Sequence, residues 1–288
     1  MAEEGVEERL QPALGRARNW WKQLGGAVRR SSAALPLDLT RMPDDPWEGA
    51  AHKGRQILQQ RFAYGGSEIA LLSDAPDWNP KQATTQWVQA VHGFRWLRDL
   101  AALKGDAAAV KAARRYFIQW LEVAKTLPSA AQHPDVVGTR ITMWLHYGPW
   151  LLDDAPQEFS RRFYAELLPT MTQHRKRVRA LKEKSGFAAL KGWFAAMCVL
   201  SEDGVTLRKR VPLLHASIRA RIRDDGGHVS RCPEQQLTSL RQLIEIRRLL
   251  KQCTGLEDDI LDTAIHRMAG MIRLWLHGDG RLALFNDT

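Results

Sequence analysis

The sequence has only three cysteines and no long apolar run. Cys198, Cys232 and Cys253 match no metal-binding spacing, and an odd number cannot pair completely, so we expect no disulfide framework. Nothing approaches the roughly 18 apolar residues that a membrane helix needs. The N-terminus is acidic and lacks the apolar segment of a signal peptide. These absences predict a protein without a membrane segment and, by default, a cytoplasmic location.

Signatures of several enzyme classes are also missing. There is no glycine-rich phosphate loop, no G-x-S-x-G nucleophile turn and no H-E-x-x-H metal motif. No histidine and cysteine set has the spacing of a zinc site. The sequence therefore gives no reason to expect a metal or a cofactor.

Positive charge and tryptophan are abundant. The formal net charge is +10, which favours a polyanionic partner: nucleic acid, an acidic membrane surface or an acidic polysaccharide. No nucleic-acid-binding motif accompanies this charge, so charge alone is a weak argument for nucleic acid. The 11 tryptophans suit either a large helical core or a cleft in which rings stack on sugars.

Helical periodicity dominates the chain after residue 83. Apolar residues recur every three or four positions, and the boundaries follow capping residues, glycines and prolines. The predicted helical segments are 84–103, 106–126, 135–152, 157–183, 186–202, 205–223, 233–253 and 257–276. Short loops between such segments predict antiparallel helix hairpins, and so an all-α fold.

Strand signals are scarce. Residues 61–72 and 281–285 are the only short candidates, and the proline-rich stretch 32–83 is otherwise irregular. Pro169 should bend or split the segment 157–183.

Several blocks resemble bacterial heparinase II/III-like proteins. They are WVQAVHGFRWLRDL at 87–100, HPDVVGTRI at 133–141, DDGGHVSRCPEQQL at 224–237, AIHRM at 264–268 and HGDGRLALFN at 277–286. The resemblance implies an incomplete (α/α) toroid, followed in the family by a C-terminal β-sandwich. We expect an N-terminal helix and irregular arm over residues 1–83, toroid helices over 84–288, and no β-sandwich in this chain.

The resemblance also implies an activity, the β-elimination of uronate-containing polysaccharides. Elimination needs a base for the C5 proton, an acid for the leaving oxygen, and neutralisation of the carboxylate. The family tyrosine falls at Gln235, which has no acid–base chemistry. We therefore expect the chain alone to be incomplete or inactive as an enzyme, with an acidic polysaccharide and a separate β-sandwich chain or domain as partners.

The candidate site residues are those whose side chains could carry this chemistry. The catalytic candidates are His228, Tyr147 and His146. The substrate-binding candidates are Arg231, Trp144, Trp193 and Lys191.

Each candidate has a structural alternative. His228 could act as a base or hold its loop through backbone hydrogen bonds, and Arg231 could bind a carboxylate or cap the preceding helix. The aromatic cluster around Tyr147 could line a cleft or fill the core.

Two alternatives concern the protein as a whole. The chain could be a non-catalytic binding or scaffolding protein that keeps the toroid without the catalytic tyrosine. The resemblance, unlike the N-terminus, favours a periplasmic location.

Overall fold

The computed structural model describes residues 37–71, 76–200 and 204–286, and within these ranges the chain is almost entirely α-helical. The all-α prediction is confirmed. The N-terminal helix expected within residues 1–36 lies outside the described residues.

Eleven α-helices follow one another along the described chain. Helices α1 to α6 are Ala51–Leu58, Thr85–His92, Trp96–Ala101, Ala107–Val123, Pro134–Leu152 and Gln157–Leu181. Helices α7 to α11 are Phe187–Val199, Gly204–Arg208, Val211–Arg221, Pro233–Thr254 and Asp259–Trp275. Short 3-10 turns cover Leu39–Arg41, Ser129–Gln132 and Lys182–Lys184.

Local capping explains several helix starts. The side chain of Thr84 accepts a hydrogen bond from the backbone N–H of Trp87, and the side chain of Asp106 accepts one from Ala108. Both residues satisfy backbone donors that a first helical turn leaves unpaired.

Two predicted helical segments are broken, and a third remains one helix although Pro169 was expected to bend or split it. The segment 84–103 is broken into α2 and α3, and the segment 205–223 into α8 and α9. The segment 157–183 is instead not split, since α6 continues through Pro169. Its buried positions, among them Phe163, Leu167 and Met171, continue on both sides of the proline, so packing outweighs the lost backbone hydrogen bond.

The stretch before α2 is an arm that packs on the helices. It contains α1 and an antiparallel hairpin of β1, Arg61–Tyr64, and β2, Ser67–Ala70. The strand expected at 281–285 is reduced to a single bridge between Leu276 and Leu282.

Helices α5 and α7 cross at backbone contact. A Cβ atom added to Gly138 of α5 would lie 2.2 Å from the carbonyl oxygen of Ala188 in α7. A Cβ atom added to Gly192 of α7 would lie 2.4 Å from the Cα atom of Gly138. Glycine is needed at both positions because any larger residue would separate the helices.

Aromatic rings fill the core beside this crossing. Phe94, Phe117, Trp120 and Trp144 contact one another with ring centroids 5.0 to 6.0 Å apart. The fully buried tryptophans are Trp78, Trp87, Trp96, Trp120, Trp144 and Trp193. Most of the tryptophan content is thus used for packing, which such rings stabilise by burying large apolar areas.

A disulfide joins the C-terminal ends of α7 and α10. Cys198 and Cys253 are paired, with their Cα atoms 5.7 Å apart, and Cys232 is free and buried. The sequence analysis, which expected no disulfide framework, did not predict this single bridge: 55 residues of sequence separate the partners, but the fold brings their helix ends together.

None of the helices in the described ranges is long and apolar enough to cross a lipid bilayer.

Candidate functional site

A groove runs between the arm, the α2–α3 break and the first turns of α5, α7 and α10. It consists of two cavities, of about 800 and 540 Å³, which adjoin at shared lining residues. The residues that line both cavities are Gln89, Arg95, Gln235 and Thr238. We call the larger one the acidic cavity, since its lining includes Glu48, Glu68, Asp99 and Glu234. We call the smaller one the basic cavity, since its lining includes His133, Lys184, Arg221 and His228.

The break between α2 and α3 places Arg95 at the junction of the cavities. Phe94 has a φ of 60°, a left-handed conformation that a bulky residue rarely adopts. Its ring is fully buried in the aromatic core, which holds the backbone there despite the strain. The helix is therefore interrupted here, and the side chain of the next residue, Arg95, lines the groove.

Arg95 is the charged group at the centre of the site. Its guanidinium makes no hydrogen bond or ion pair within the described ranges, and the residue is exposed. Burial, and next the positive charge of Arg98, lower the pKa of Arg95. Solvent still reaches the side chain through the groove. A guanidinium without an ion-pair partner beside a second guanidinium would be neutralised by an anion that enters the groove.

Tyr64, in the turn end of β1, is the tyrosine that lines the groove. Its hydroxyl donates to Oδ2 of Asp99 at 2.8 Å. Burial, and then the charge of Asp99, raise the pKa of Tyr64 well above its ordinary value. The hydroxyl therefore keeps its proton near neutral pH, and it already donates that proton in the hydrogen bond to Asp99.

His228 lies in the wall of the basic cavity. Its Nδ1 atom is 2.9 Å from Oγ of Ser230 and accepts the backbone N–H of Ser230 at 3.2 Å. Its backbone N–H donates to Gln236 at 2.6 Å, so the residue also fixes the loop. Burial, and next the charge of Arg221, lower the pKa of His228. The neutral ring leaves Nε2 without a protein partner among the described residues.

Gln235 stands where the two cavities meet. Its side-chain amide donates to Oγ of Ser239 one turn further along α10, at 3.1 Å. The position expected for the family tyrosine thus faces the groove, but it carries a carboxamide that cannot exchange a proton near neutral pH.

Tyr147 belongs to a different, buried cluster under the arm. Its hydroxyl donates to Oδ2 of Asp45 at 2.9 Å, and Arg98 pairs with the same carboxylate at 2.8 Å. Burial of Asp45 would raise its pKa, but the hydrogen bond and charge of Arg98 outweigh this and lower it. Burial, and then the charge of Asp45, raise the pKa of Tyr147.

Lys191 lies in the same buried cluster. Its Nζ atom pairs with Oε2 of Glu245 at 2.7 Å, and Nε1 of Trp47 donates to the other oxygen at 2.8 Å. His146 is close by, with neither ring nitrogen hydrogen-bonded in the described part of the chain, and burial lowers its pKa to about 4. We call this set the buried charge cluster: Asp45, Trp47, Arg98, His146, Tyr147, Lys191 and Glu245. Of these, Arg98 also lines the acidic cavity, and the others line neither cavity.

The remaining sequence candidates also lie apart from the groove. Trp144 and Trp193 are buried in the core, and their indole N–H groups have no partner among the described residues. Arg231 is half-buried and pairs with Asp225 at 2.8 Å across the same loop. Of the seven candidates, only His228 lines the groove, and the functional roles of all seven stay predictions.

Sequence reasoning missed Arg95 and Tyr64. Gly93, in the middle of a helical pattern, was the available signal for a break beside Arg95. The Tyr-Gly-Gly sequence at 64–66 was a turn signal within the strand candidate 61–72. Neither signal indicates which side chain would face a cavity.

In the described residues, no three or more histidine, cysteine or acidic side chains are arranged to hold a metal ion.

Comparison with known proteins gives one sequence relative. FtsZ-localized protein C of Caulobacter vibrioides (strain NA1000 / CB15N) is 25% identical over 284 residues, which cover 95% of this chain and 47% of that protein. No family model matches the chain.

Solved structures show a fold of the heparinase type. A crystal structure of heparinase III superposes with a TM-score of 0.61 at 14% identity, covering 93% of this chain and 46% of that one. Heparan sulfate lyase HepC from Pedobacter heparinus gives a TM-score of 0.54 at 14% identity, covering 96% and 45%. The chain has a helical, polysaccharide lyase-like toroid fold and spans about half the length of these proteins.

Proposed function

We propose that the chain is a carbohydrate-binding module that holds an acidic, uronate-containing polysaccharide in the groove and does not cleave it by itself. The observation that carries this proposal is Arg95, which lines both cavities at their junction and whose solvent-accessible guanidinium has no hydrogen-bond or ion-pair partner among the described residues. A sugar carboxylate or sulfate would give it a bidentate, charge-assisted hydrogen bond.

The surrounding side chains suit a sugar. Gln89, Gln235 and Thr238 offer neutral donors and acceptors on both sides of Arg95, the polar types that orient a hydroxyl-rich ligand. The lyase-like fold supports the choice of a polysaccharide over other polyanions.

The proton chemistry of the groove argues against cleavage by this chain alone. Elimination needs a group that takes the C5 proton and one that protonates the leaving oxygen. The proton of the Tyr64 hydroxyl is held in a hydrogen bond to Asp99, and the side-chain amide of Gln235 cannot exchange a proton near neutral pH. His228 is the remaining base among the described lining residues, and its Nε2 atom has no hydrogen-bond partner there.

Titration calorimetry with oligogalacturonate tests binding. We expect Arg95→Ala to weaken binding about tenfold or more, because a charge-assisted hydrogen bond contributes roughly 1.5–3 kcal/mol. Arg161→Ala is the matched control, since Arg161 is exposed, pairs with Glu158 and does not line the groove. Equal binding by wild type and Arg95→Ala would overturn the proposal.

The same mixtures test for cleavage through the absorbance of unsaturated uronate. We expect no rise. A rise that His228→Ala abolishes would show elimination by this chain and contradict the binding-only function.

A second candidate function is binding to FtsZ. It is supported by the relative named for its localisation with FtsZ, whose similarity covers 95% of this chain. Pull-down of Caulobacter vibrioides FtsZ by the purified chain tests it. Capture by wild type and by Arg95→Ala alike would place this contact outside the groove, and no capture would reject it.

A further inference from the structure

The two cavities of the groove carry opposite excess charges, and this difference affects which sugars the groove accepts. In the acidic cavity, Glu68 is paired with Arg61, but Glu48 has no partner among the residues described. Glu234 accepts only a 3.3 Å hydrogen bond from the neutral amide of Gln86. These carboxylates keep their charge available to a ligand.

Cations in the acidic cavity offset only part of this charge. Arg98 is occupied by Asp45, and Lys53 lies 5.5 Å from the ring centroid of Tyr64. Asp99 adds a further carboxylate, which accepts from Tyr64 and from the backbone of Ala50. Carboxylates therefore remain in excess on this side of Arg95.

The basic cavity has the opposite balance. The guanidinium of Arg221 donates to the backbone carbonyls of Glu183 and Lys184 and forms no direct ion pair with a carboxylate of the described residues. Lys184 is exposed at the same rim. Asp135 is the acidic residue of this lining, and its carboxylate accepts the backbone N–H of Ala189 at the start of α7.

Resting on the proposed function, we propose that the groove selects a chain in which an anionic sugar is followed by an amino sugar with a free amine. The anionic group binds Arg95 and extends into the basic cavity. The ammonium group of the neighbouring sugar lies in the acidic cavity, near Glu48 and Glu234. A uniformly anionic polymer would place a carboxylate against these acids, where like charges repel.

Three oligosaccharides of equal length test the selection at low ionic strength, where exposed charges are least screened. One alternates glucuronate with glucosamine bearing a free amine, the second is its N-acetylated form, and the third is oligogalacturonate. We expect the free amine to bind about threefold or more tighter than the N-acetyl form, the size of one or two partly exposed ion pairs.

The double variant Glu48→Gln/Glu234→Gln tests whether these two carboxylates cause the preference for the free amine. It should lose the preference for the free amine and bind oligogalacturonate more tightly than wild type does. Glu257→Gln is the matched control, because Glu257 is exposed, pairs with Lys251 and lies outside both linings.

The outcomes separate this inference from the proposed function. If all three sugars bind through Arg95 but the amine brings no preference, or the preference survives in the double variant, the inference is overturned and the proposed function stands. If no sugar binds, or Arg95→Ala binds them as wild type does, both fail.

Discussion

The groove and the buried charge cluster both enclose charged side chains, but only one of them leaves a charge unpaired. Under the arm, Lys191 has Glu245, and Arg98 has Asp45. In the groove, Arg95 has no such partner among the described residues. Buried charges with fixed partners connect structural elements, whereas a charge that lines a cavity without an ion-pair partner indicates a place for a ligand.

The largest expected effect comes from removing one partner of the buried pair formed by Lys191 and Glu245. Lys191→Met should lower the free energy of unfolding by about 3–5 kcal/mol, because it leaves Glu245 buried and uncompensated. Urea denaturation measures the loss. The double variant Lys191→Met/Glu245→Leu should recover most of it, and a loss below about 1 kcal/mol in the single variant would show that the pair is not structural.

His146 makes the buried charge cluster sensitive to acid. Its pKa is lowered to about 4 in the folded chain, so the folded state binds its proton less well than the unfolded state does. The resulting stabilisation is complete above pH about 6.5 and is lost as the pH falls toward 4. The free energy of unfolding should fall between pH 7 and pH 5 in wild type, and this fall should be about 2 kcal/mol smaller in His146→Phe. Denaturant titrations at both pH values measure it, and an unchanged difference would contradict the assignment.

Arg95→Met sharpens the comparison because its effect on stability should have the opposite sign to that of Lys191→Met. Removing a solvent-accessible cation that lies beside the positive charge of Arg98 and has no ion-pair partner among the described residues should raise the free energy of unfolding by about 0.5 kcal/mol. Urea denaturation without ligand measures the change. A clear destabilisation would mean that Arg95 supports the fold.

The smallest effect belongs to an exposed pair of the same chemistry as the buried one. Lys251 and Glu257 pair at 3.0 Å, but their side chains are 69% and 74% exposed, against 5% and 6% for Lys191 and Glu245. Lys251→Met should change the free energy of unfolding by less than about 0.5 kcal/mol. A loss of stability as large as that of Lys191→Met would show that burial does not explain the difference between the two ion pairs.

Periodicity predicted the helices well because their buried faces repeat at helical spacing. It joined α2 to α3, since the apolar stripe continues across Gly93 and only the aromatic core selects the left-handed backbone at Phe94. Helix prediction from such a stripe cannot detect a break that long-range packing imposes.

The site was harder to predict than the fold. Tyr147, His146 and Lys191 have the side chains that catalysis uses, but their partners Asp45 and Glu245 are distant in sequence. A sequence lists the groups that can ionise, and the fold decides which of them are already neutralised. His228 was found because its loop carries the Asp-Gly-Gly-His motif, whereas Arg95 has no motif of its own.

The contact between Gly138 and Gly192 has a mechanical consequence for the groove. Two helix backbones that touch have no side-chain layer that could repack, so α5 and α7 cannot slide or roll past each other without losing the contact. Their first turns supply His133 and Phe187 to the basic cavity, which therefore has an immobile wall. Any change in the width of the groove must come from the opposite side, where the arm and its hairpin form the wall of the acidic cavity.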